Sequence, residues 1–328
     1  MNVFLTFDYE LFFGSDTGTV DKCMIEPTRE LLKMSREHNA PMTFFVDIGY
    51  LICLEKHMEH FPVLKEDYNK VIIQIGEILE SGSDVQLHIH PHWEKSVYDG
   101  EKWKIVTAGC YKLSDFEDQE IERIVTQYKA RLDQLTGRKS HAFRAGGWCI
   151  QPFHRLEKVF MKLGLKYDTS VFPGGYFEAG EYAFDFRNAP SKSVYLFQDD
   201  VCKEEKRGFF TEYTIGSYRY SPLFYWKLYA WGRLNPADHK MIGDGIFMSQ
   251  PGRKKQVLTH FTWNHASTDG FYVTKMRTIT RKALGAKQEN LVFIGHPKSA
   301  TYYSLRKLEA YLEEFRTACT FQTFSQLP

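Results

Sequence analysis

The strongest constraint on the fold is a regular alternation of short apolar segments with segments of helical periodicity. Strands are predicted at residues 3–7, 41–46, 84–88, 141–144, 166–170, 257–263 and 290–296. Helices are predicted at residues 27–39, 65–80, 152–163, 223–231, 271–284 and 302–316, and a Ser-x-x-Glu capping pattern at Ser114 predicts another that ends near Gly137. Segment 41–46 is apolar throughout, which is typical of a strand buried on both faces of a parallel sheet. The alternation predicts an α/β protein with a mostly parallel sheet.

Polar side chains collect at one kind of position, the carboxyl end of a predicted strand. They are Asp8, Glu10, His88, His90, His92, Arg144, Asp168 and His296. Because the carboxyl ends of the strands of a (β/α) barrel face a common site, we expect these side chains to lie close together.

The chain length suits one barrel-sized domain. The 328 residues are predicted to form a single domain at 1–328, with an aromatic insertion at about 172–253 after the fifth strand. That segment is too long for an ordinary connection between a strand and a helix. We expect part of it to form a wall of the substrate groove.

The composition argues against several classes of protein. The 42 basic and 41 acidic residues give a net charge of +1, which does not indicate binding to nucleic acid or to an anionic membrane. No apolar run is long enough to span a bilayer. The six cysteines contain no CxxC pair, so reduced thiols are expected. No signal peptide precedes the first predicted strand, which favours a cytoplasmic location. The oligomeric state is not specified.

The histidine-rich stretch at 88–92 predicts a metal site. His88 and His92 are four residues apart, a spacing that one tight turn brings to a single ion. Two imidazoles and one carboxylate leave positions open for water, as in catalytic zinc sites, and the ion would activate that water and polarise a carbonyl oxygen. His90 shares a strand face with His88 and is a candidate for an outer contact or a substrate contact. A surface histidine cluster is the alternative.

Asp8 and Glu10 lie on one face of the first predicted strand, since successive strand residues alternate between faces. One carboxylate bound to a metal would leave the other to act as a general base. Arg144 would hold a carboxylate through its planar guanidinium.

These residues resemble the motifs of the polysaccharide deacetylase family, carbohydrate esterase family 4 with the NodB-homology fold. The resemblance rests on six motifs in family order: Thr6-Phe7-Asp8-Tyr9-Glu10, Met42-Thr43-Phe44-Phe45-Val46, His88 to His92, Phe143-Arg144-Ala145-Gly146-Gly147-Trp148, Tyr167-Asp168-Thr169-Ser170 and Leu291 to His296. The chain departs from the family where Glu10 is displaced by one residue, where Ile89 follows the first histidine, and where Ala145 to Trp148 replace a proline-rich turn.

The resemblance implies a distorted (β/α) barrel of about seven strands that removes acetyl groups from sugars with a divalent metal. Zinc is the first expectation, and cobalt, nickel or manganese is possible. The implied metal ligands are Glu10, His88 and His92. The implied catalytic residues are Asp8 as base, Arg144 as its partner, and His296 as acid, oriented by Asp168. His260 and His265 are rival candidates for the acid, and Trp93 and Trp148 are candidate outer or substrate contacts.

We therefore expect a metal-dependent hydrolase that removes N- or O-acetyl groups from a glycan or a glycan precursor. Two alternatives remain open at the level of sequence. The first is hydrolysis of a non-sugar amide on the same barrel, since a fold does not determine a substrate. The second is an inactive barrel that binds glycans.

Overall fold

A computed structural model describes all 328 residues of the chain. Its fifteen strands are β1 Asn2–Tyr9, β2 Thr43–Asp47, β3 Asp84–Ile89, β4 Val97–Tyr98, β5 Trp103–Lys104, β6 Ala142–Ala145, β7 Tyr167–Asp168, β8 Tyr176–Ala179, β9 Tyr182–Asp185, β10 Val194–Phe197, β11 Phe210–Tyr213, β12 Ser217–Tyr220, β13 Thr262–His265, β14 Asn290–Gly295 and β15 Thr320–Gln322. Its ten α-helices are α1 Glu26–Glu37, α2 Ile48–His57, α3 Pro62–Glu80, α4 Asp118–Thr136, α5 Glu157–Leu163, α6 Pro222–Leu234, α7 Pro236–His239, α8 Arg253–Thr259, α9 Met276–Gly285 and α10 Tyr302–Phe315.

One sheet of nine strands forms the centre of the molecule. Its order is β10-β11-β7-β6-β3-β2-β1-β14, and β15 also pairs with β1. Every neighbouring pair is parallel except β10 and β11. A bridge from Ile215, just after β11, to Val292 joins the far side of the sheet to β14, and a second bridge joins Ser267, just after β13, to Ile294. The sheet is therefore a nearly closed, distorted (β/α) barrel, as expected.

Most of the predicted elements are confirmed. The capping pattern at Ser114 does not begin a helix as predicted, because Ser114 lies in a short 3-10 helix, Leu113–Asp115, and α4 begins at Asp118. The predicted strand at 257–263 is wrong over its first half, because Arg253–Thr259 is the helix α8 and only Thr262–His265 is extended. The helix α2 was not predicted. Six of its ten residues are buried, so its sequence carries no amphipathic stripe that a periodicity analysis would detect.

The aromatic segment at 172–253 has a mixed role. The hairpin of β8 and β9 leaves the barrel, and Tyr182 of this hairpin packs 5.2 Å from Tyr111 near the histidine-rich turn. In contrast, β10 and β11 belong to the main sheet, where Tyr195 and Phe197 are buried. Part of the predicted insertion thus completes the barrel.

Two apolar cores have different sizes. The main core is continuous and contains 82 buried residues around the sheet, which fits one barrel domain. A separate small core contains Tyr220, Phe224, Tyr225 and Val257, contributed by β12, α6 and α8. Among the helices, none combines the length and the apolar character that a membrane crossing needs.

Candidate active site

The candidate site lies at the carboxyl ends of β1, β3, β6 and β14. Strand register explains the assembly: His88 of β3 pairs with Arg144 of β6, and Thr6 of β1 pairs with Ile294 of β14. Asp8 and His296 each come two residues beyond that last pair, so both point to the same end of the barrel. Asp8, Glu10, His88, His90 and Arg144 are all at most 5% exposed.

Asp8 forms a buried ion pair with Arg144. The Arg144 Nη1 donates to Asp8 Oδ1 at 2.7 Å, and the other guanidinium nitrogens donate to Thr6 Oγ1 and to the carbonyl of Thr169. Burial raises the pKa of Asp8, but Arg144, followed by His88 and His296, outweighs burial and holds the pKa below its usual value. The carboxyl group is therefore ionised and is held in place by Arg144. Its second oxygen, Oδ2, faces His296.

Glu10, His88 and His90 form a compact cluster of donor atoms. The Glu10 Oε2 lies 3.1 Å from His88 Nε2 and 2.7 Å from His90 Nε2, and the three ligand atoms lie within 4.8 Å of one another. The Nδ1 of His88 lies 2.8 Å from the carbonyl oxygen of Arg144. Because a carbonyl can only accept, Nδ1 carries a proton, and in the neutral ring the lone pair of Nε2 faces Glu10.

This cluster suits a cation. Burial lowers the pKa of His88, but Asp8 and Glu10 outweigh it and raise the pKa to about 9. The site thus attracts positive charge to the space between His88 and the two carboxylates. The Nδ1 of His90 is buried without a hydrogen-bond partner, and its Nε2 lies 2.7 Å from Glu10 Oε2. A carboxylate and two imidazoles that converge in this way are a donor set typical of zinc and related divalent metals.

The second imidazole of this cluster belongs to His90, whereas sequence reasoning assigned His92. Strand alternation keeps His88 and His90 on one face, while His92 follows in the turn Pro91–Glu94. The ring of His92 packs 4.5 Å from that of Phe13 and 5.2 Å from that of Trp93. Burial and the neighbouring His90 hold the pKa of His92 well below its usual value, so the ring is neutral.

The two histidines can be separated by substitution. We expect His90→Ala to weaken metal binding by about 10-fold or more, since it removes a direct donor, and His92→Ala to have a smaller effect. Titration calorimetry of each purified variant with zinc measures the difference. A larger loss for His92→Ala would restore the assignment made from the spacing.

Lys298 is a functional candidate that the sequence analysis missed. Its Nζ donates to Glu10 Oε1 at 2.8 Å and to the carbonyl oxygen of Leu11 at 2.6 Å, and the residue is 3% exposed. Burial raises the pKa of Glu10, but Lys298 and then His90 and His88 hold it well below its usual value. Lys298 thereby fixes one oxygen of Glu10 and leaves Oε2 for the histidines. Its position two residues beyond His296 was the only signal in the sequence.

His296 is oriented by Asp269 and not by Asp168. The Nδ1 of His296 lies 2.8 Å from Asp269 Oδ2, and its Nε2 faces Asp8 Oδ2 at 3.6 Å. The pairing of Ser267 with Ile294 places Asp269, two residues on, level with His296. Burial lowers the pKa of His296, but Asp269 outweighs it and raises the pKa above its usual value.

The expected hydrogen bond from Asp168 to His296 is wrong because the register of β7 aligns Asp168 with Glu212 of β11. The Asp168 carboxyl accepts from the backbone and side chain of Ser170. Burial raises the pKa of both carboxyl groups, for Glu212 well above its usual value, with Asp168 adding to the shift. Burial and the neighbouring Asp168 thus favour the protonated form of Glu212.

The remaining predicted residues divide between the site and the surface. The ring of Trp148 stacks on that of His265 at 4.8 Å, and burial lowers the pKa of His265 to about 3. His260 is exposed and lies next to the Thr259 hydroxyl. Trp93 donates to the buried Asp47 at 2.6 Å and so supports the histidine turn from behind.

Comparison with known proteins gives a result for structure and none for sequence. No protein-family model matches the sequence, and no curated protein matches it significantly. A protein from Mycobacterium smegmatis described as a polysaccharide deacetylase superposes with a TM-score of 0.52 at 17% identity, over 99% of this chain and 87% of the other. This chain has a polysaccharide deacetylase-like fold.

A second solved structure has a comparable score. A GH57-type branching enzyme from Pyrococcus horikoshii superposes with a TM-score of 0.51 at 10% identity, over 99% of this chain and 69% of the other. At such identities the likeness concerns the barrel alone. The fold therefore does not determine the reaction, which depends on the residues at this chain's own site.

Proposed function

We propose that this protein is a metal-dependent hydrolase that removes an acetyl group from a sugar of a glycan or glycan precursor. The observation that carries the proposal is the arrangement at the barrel end. The Glu10, His88 and His90 donors converge beside an Asp8 carboxylate that Arg144 holds, and opposite a His296 that Asp269 holds. This is a metal donor set next to a separated base and acid, which binding alone does not require.

The metal would be held by Glu10, His88 and His90. When bound, a divalent cation supplies Lewis-acid polarisation of the acetyl carbonyl and an acidic water at neutral pH. Two features of the chain support a cation there: Glu10 Oε2 lies close to the Nε2 atoms of both His88 and His90, and the pKa of His88 is raised. Lys298 keeps Glu10 ionised and oriented for this role.

The proton transfers are assigned to the other two groups. Asp8 Oδ2 accepts the proton of the attacking water as its oxygen bonds to the acetyl carbon. His296 Nε2 donates a proton to the sugar nitrogen or oxygen as its bond to the acetyl carbon breaks, which releases acetate. Asp8 Oδ2 and His296 Nε2 lie 3.6 Å apart, so the attacking water and the leaving sugar atom of one acetyl group can each be reached by one of them. Arg144 keeps Asp8 ionised, and Asp269 keeps His296 protonated.

Acetate release tests the proposal. Purified protein, with zinc or after treatment with a chelator, is incubated with N-acetylated sugars, O-acetylated sugars and a cyclic amide. We expect acetate from at least one sugar, with activity lost on chelation and restored by zinc. Hydrolysis of the cyclic amide alone would favour a different amidase, and binding of acetylated glycans without any release would favour an inactive barrel.

Whether Asp269 or Asp168 orients His296 can be tested by the pH dependence of the activity. Since Asp269 raises the pKa of His296, and a general acid works only below its pKa, activity is lost as the pH rises through that value. We expect Asp269→Asn to lower this pKa and to move the alkaline limb of the kcat profile to lower pH. Asp168→Asn is the matched control and should leave the limb unchanged. The reverse pattern would return the orienting role to Asp168.

A further inference from the structure

Helix α6 exposes large apolar side chains on the face turned away from the protein. Leu223 is 62% exposed, Trp226 58%, Trp231 45% and Leu234 78%. Phe224 and Tyr225 of the same helix are buried and fill the small second core. A surface helix usually has a polar outer face, so α6 carries an apolar face that the chain itself does not cover. Leu223, Trp226, Trp231 and Leu234, with Phe261 just beyond α8, are called the outer patch below.

The segment that contains the outer patch is rich in basic residues without acidic partners, and two of them contact it or its helix: Arg219 lies 5.1 Å from the ring of Phe261 and Lys254 lies 5.2 Å from that of Tyr229 on α6. The segment 219–263 holds seven basic and two acidic residues, a net charge of +5 in a chain whose total is +1. The basic residues are Arg219, Lys227, Arg233, Lys240, Arg253, Lys254 and Lys255, and none of them forms a salt bridge. The two acids are engaged elsewhere, Asp238 with Arg306 and Asp244 with Thr19. This region is therefore strongly basic, although the net charge of the whole chain is close to zero.

The outer patch is linked to the rim of the candidate site. The indole nitrogen of Trp226 donates to the carbonyl oxygen of Leu258 at 3.1 Å, which fixes α6 on α8. From α8 the chain passes through Phe261, 58% exposed, into β13. At the end of β13, His265 packs on Trp148, and Asp269 then binds His296. The buried side of α6 leads to the same residues, because Phe224 packs 5.3 Å from Tyr272 and Tyr272 packs 6.0 Å from His265.

We propose that the outer patch docks on the surface of a lipid bilayer that contains anionic phospholipids. Exposed Trp and Leu side chains among Lys and Arg residues are the composition of segments that lie in the interface of such membranes. Each basic residue near an anionic leaflet adds to the attraction. A second copy of the chain fits less well, because a two-fold contact would bring two unpaired basic regions together.

The docking has a consequence for the substrate that rests on the proposed function. A barrel held at the membrane by α6 and α8 suits an acetylated sugar carried on a lipid. A free sugar in solution would gain nothing from the outer patch.

Vesicle sedimentation tests the docking without metal or acetylated substrate, so its outcome is independent of the hydrolase proposal. The full chain, treated with a chelator, is mixed with vesicles of phosphatidylcholine alone or of phosphatidylcholine with phosphatidylglycerol. We expect binding to the mixed vesicles, weak binding to the neutral ones, and a loss of binding as salt screens the charges.

Two pairs of variants test the patch itself. Lys254→Glu with Lys255→Glu should lower the partition coefficient by about 10-fold or more, and Leu223→Ser with Leu234→Ser should lower it to a similar extent. The control for charge is Arg138→Glu with Lys139→Glu, since both residues are exposed and precede β6 at the opposite end of the barrel. The control for apolar area is Ile73→Ser, 61% exposed on α3. All these positions are exposed, so unchanged melting curves are expected.

Three outcomes would overturn the proposal. One is the absence of binding to the mixed vesicles, and another is an equal loss of binding in the control variants. The third is a dimer in sedimentation velocity that Leu223→Ser with Leu234→Ser dissociates, without vesicle binding, which would assign the outer patch to a second copy.

Discussion

Replacing Asp8 by Asn is expected to lower turnover by about 10²–10⁴-fold, the range that general base catalysis contributes, while the protein keeps its metal. Asp8 is held by Arg144 at 2.7 Å and is not one of the three donors of the cluster. Glu10→Gln, in contrast, is expected to weaken metal affinity by about 10-fold or more, because Glu10 Oε2 is the oxygen shared by both histidines.

Metal content of the two purified variants distinguishes the roles of the carboxylates. After dialysis against zinc and removal of the excess, Asp8→Asn should retain the wild-type stoichiometry and Glu10→Gln should not. The opposite result would reverse the assignment and make Asp8 the ligand. A variant Lys298→Met serves as a further reference, because it keeps both carboxylates and removes only the ammonium that orients Glu10.

Replacing Arg144 by Leu is expected to destabilise the protein by about 3–5 kcal/mol, since it leaves a buried carboxylate without its partner. Arg144 is fully buried, and its guanidinium donates to Asp8, Thr6 and Thr169. Equilibrium denaturation of the metal-free protein measures the change. Arg187→Leu is the control, because its pair with Asp185 is exposed and should be worth at most about 1 kcal/mol.

A double substitution separates the ion pair from the other contacts of Arg144. If the unpaired Asp8 charge causes most of the loss, Arg144→Leu combined with Asp8→Asn should be more stable than Arg144→Leu alone. Equal stabilities of the single and double variants would attribute the loss to packing and to the hydrogen bonds with Thr6 and Thr169.

Local patterns in the sequence were sufficient to predict the barrel and much of the site. Strand alternation places Asp8 and Glu10 on one face, and parallel strands bring their carboxyl ends to one edge. For this reason Asp8, Glu10, His88, Arg144 and His296 were predicted to lie together, and the structure brings them together. The all-round apolar helix α2 and the half-helical segment at 257–263 were missed, because neither has a clear period.

The net charge of the chain did not predict how the charges are distributed over its surface. A sum over 328 residues does not register where the charges lie, and only the structure shows that the basic residues of 219–263 lack acidic partners. The burial of Phe224 beside the exposure of Leu223 likewise follows from how α6 packs on the second core.

By itself, then, the sequence determined which residue types stand at the strand ends, since that depends only on local periodicity. Tertiary structure decided which of them touch. The register between β7 and β11 pairs Asp168 with Glu212. The bridge from Ser267 to Ile294 places Asp269 beside His296. The turn after β3 directs His92 into an aromatic layer and leaves His90 beside Glu10. These choices depend on contacts between residues far apart in the chain, whose alignment is set by the packing of the whole barrel.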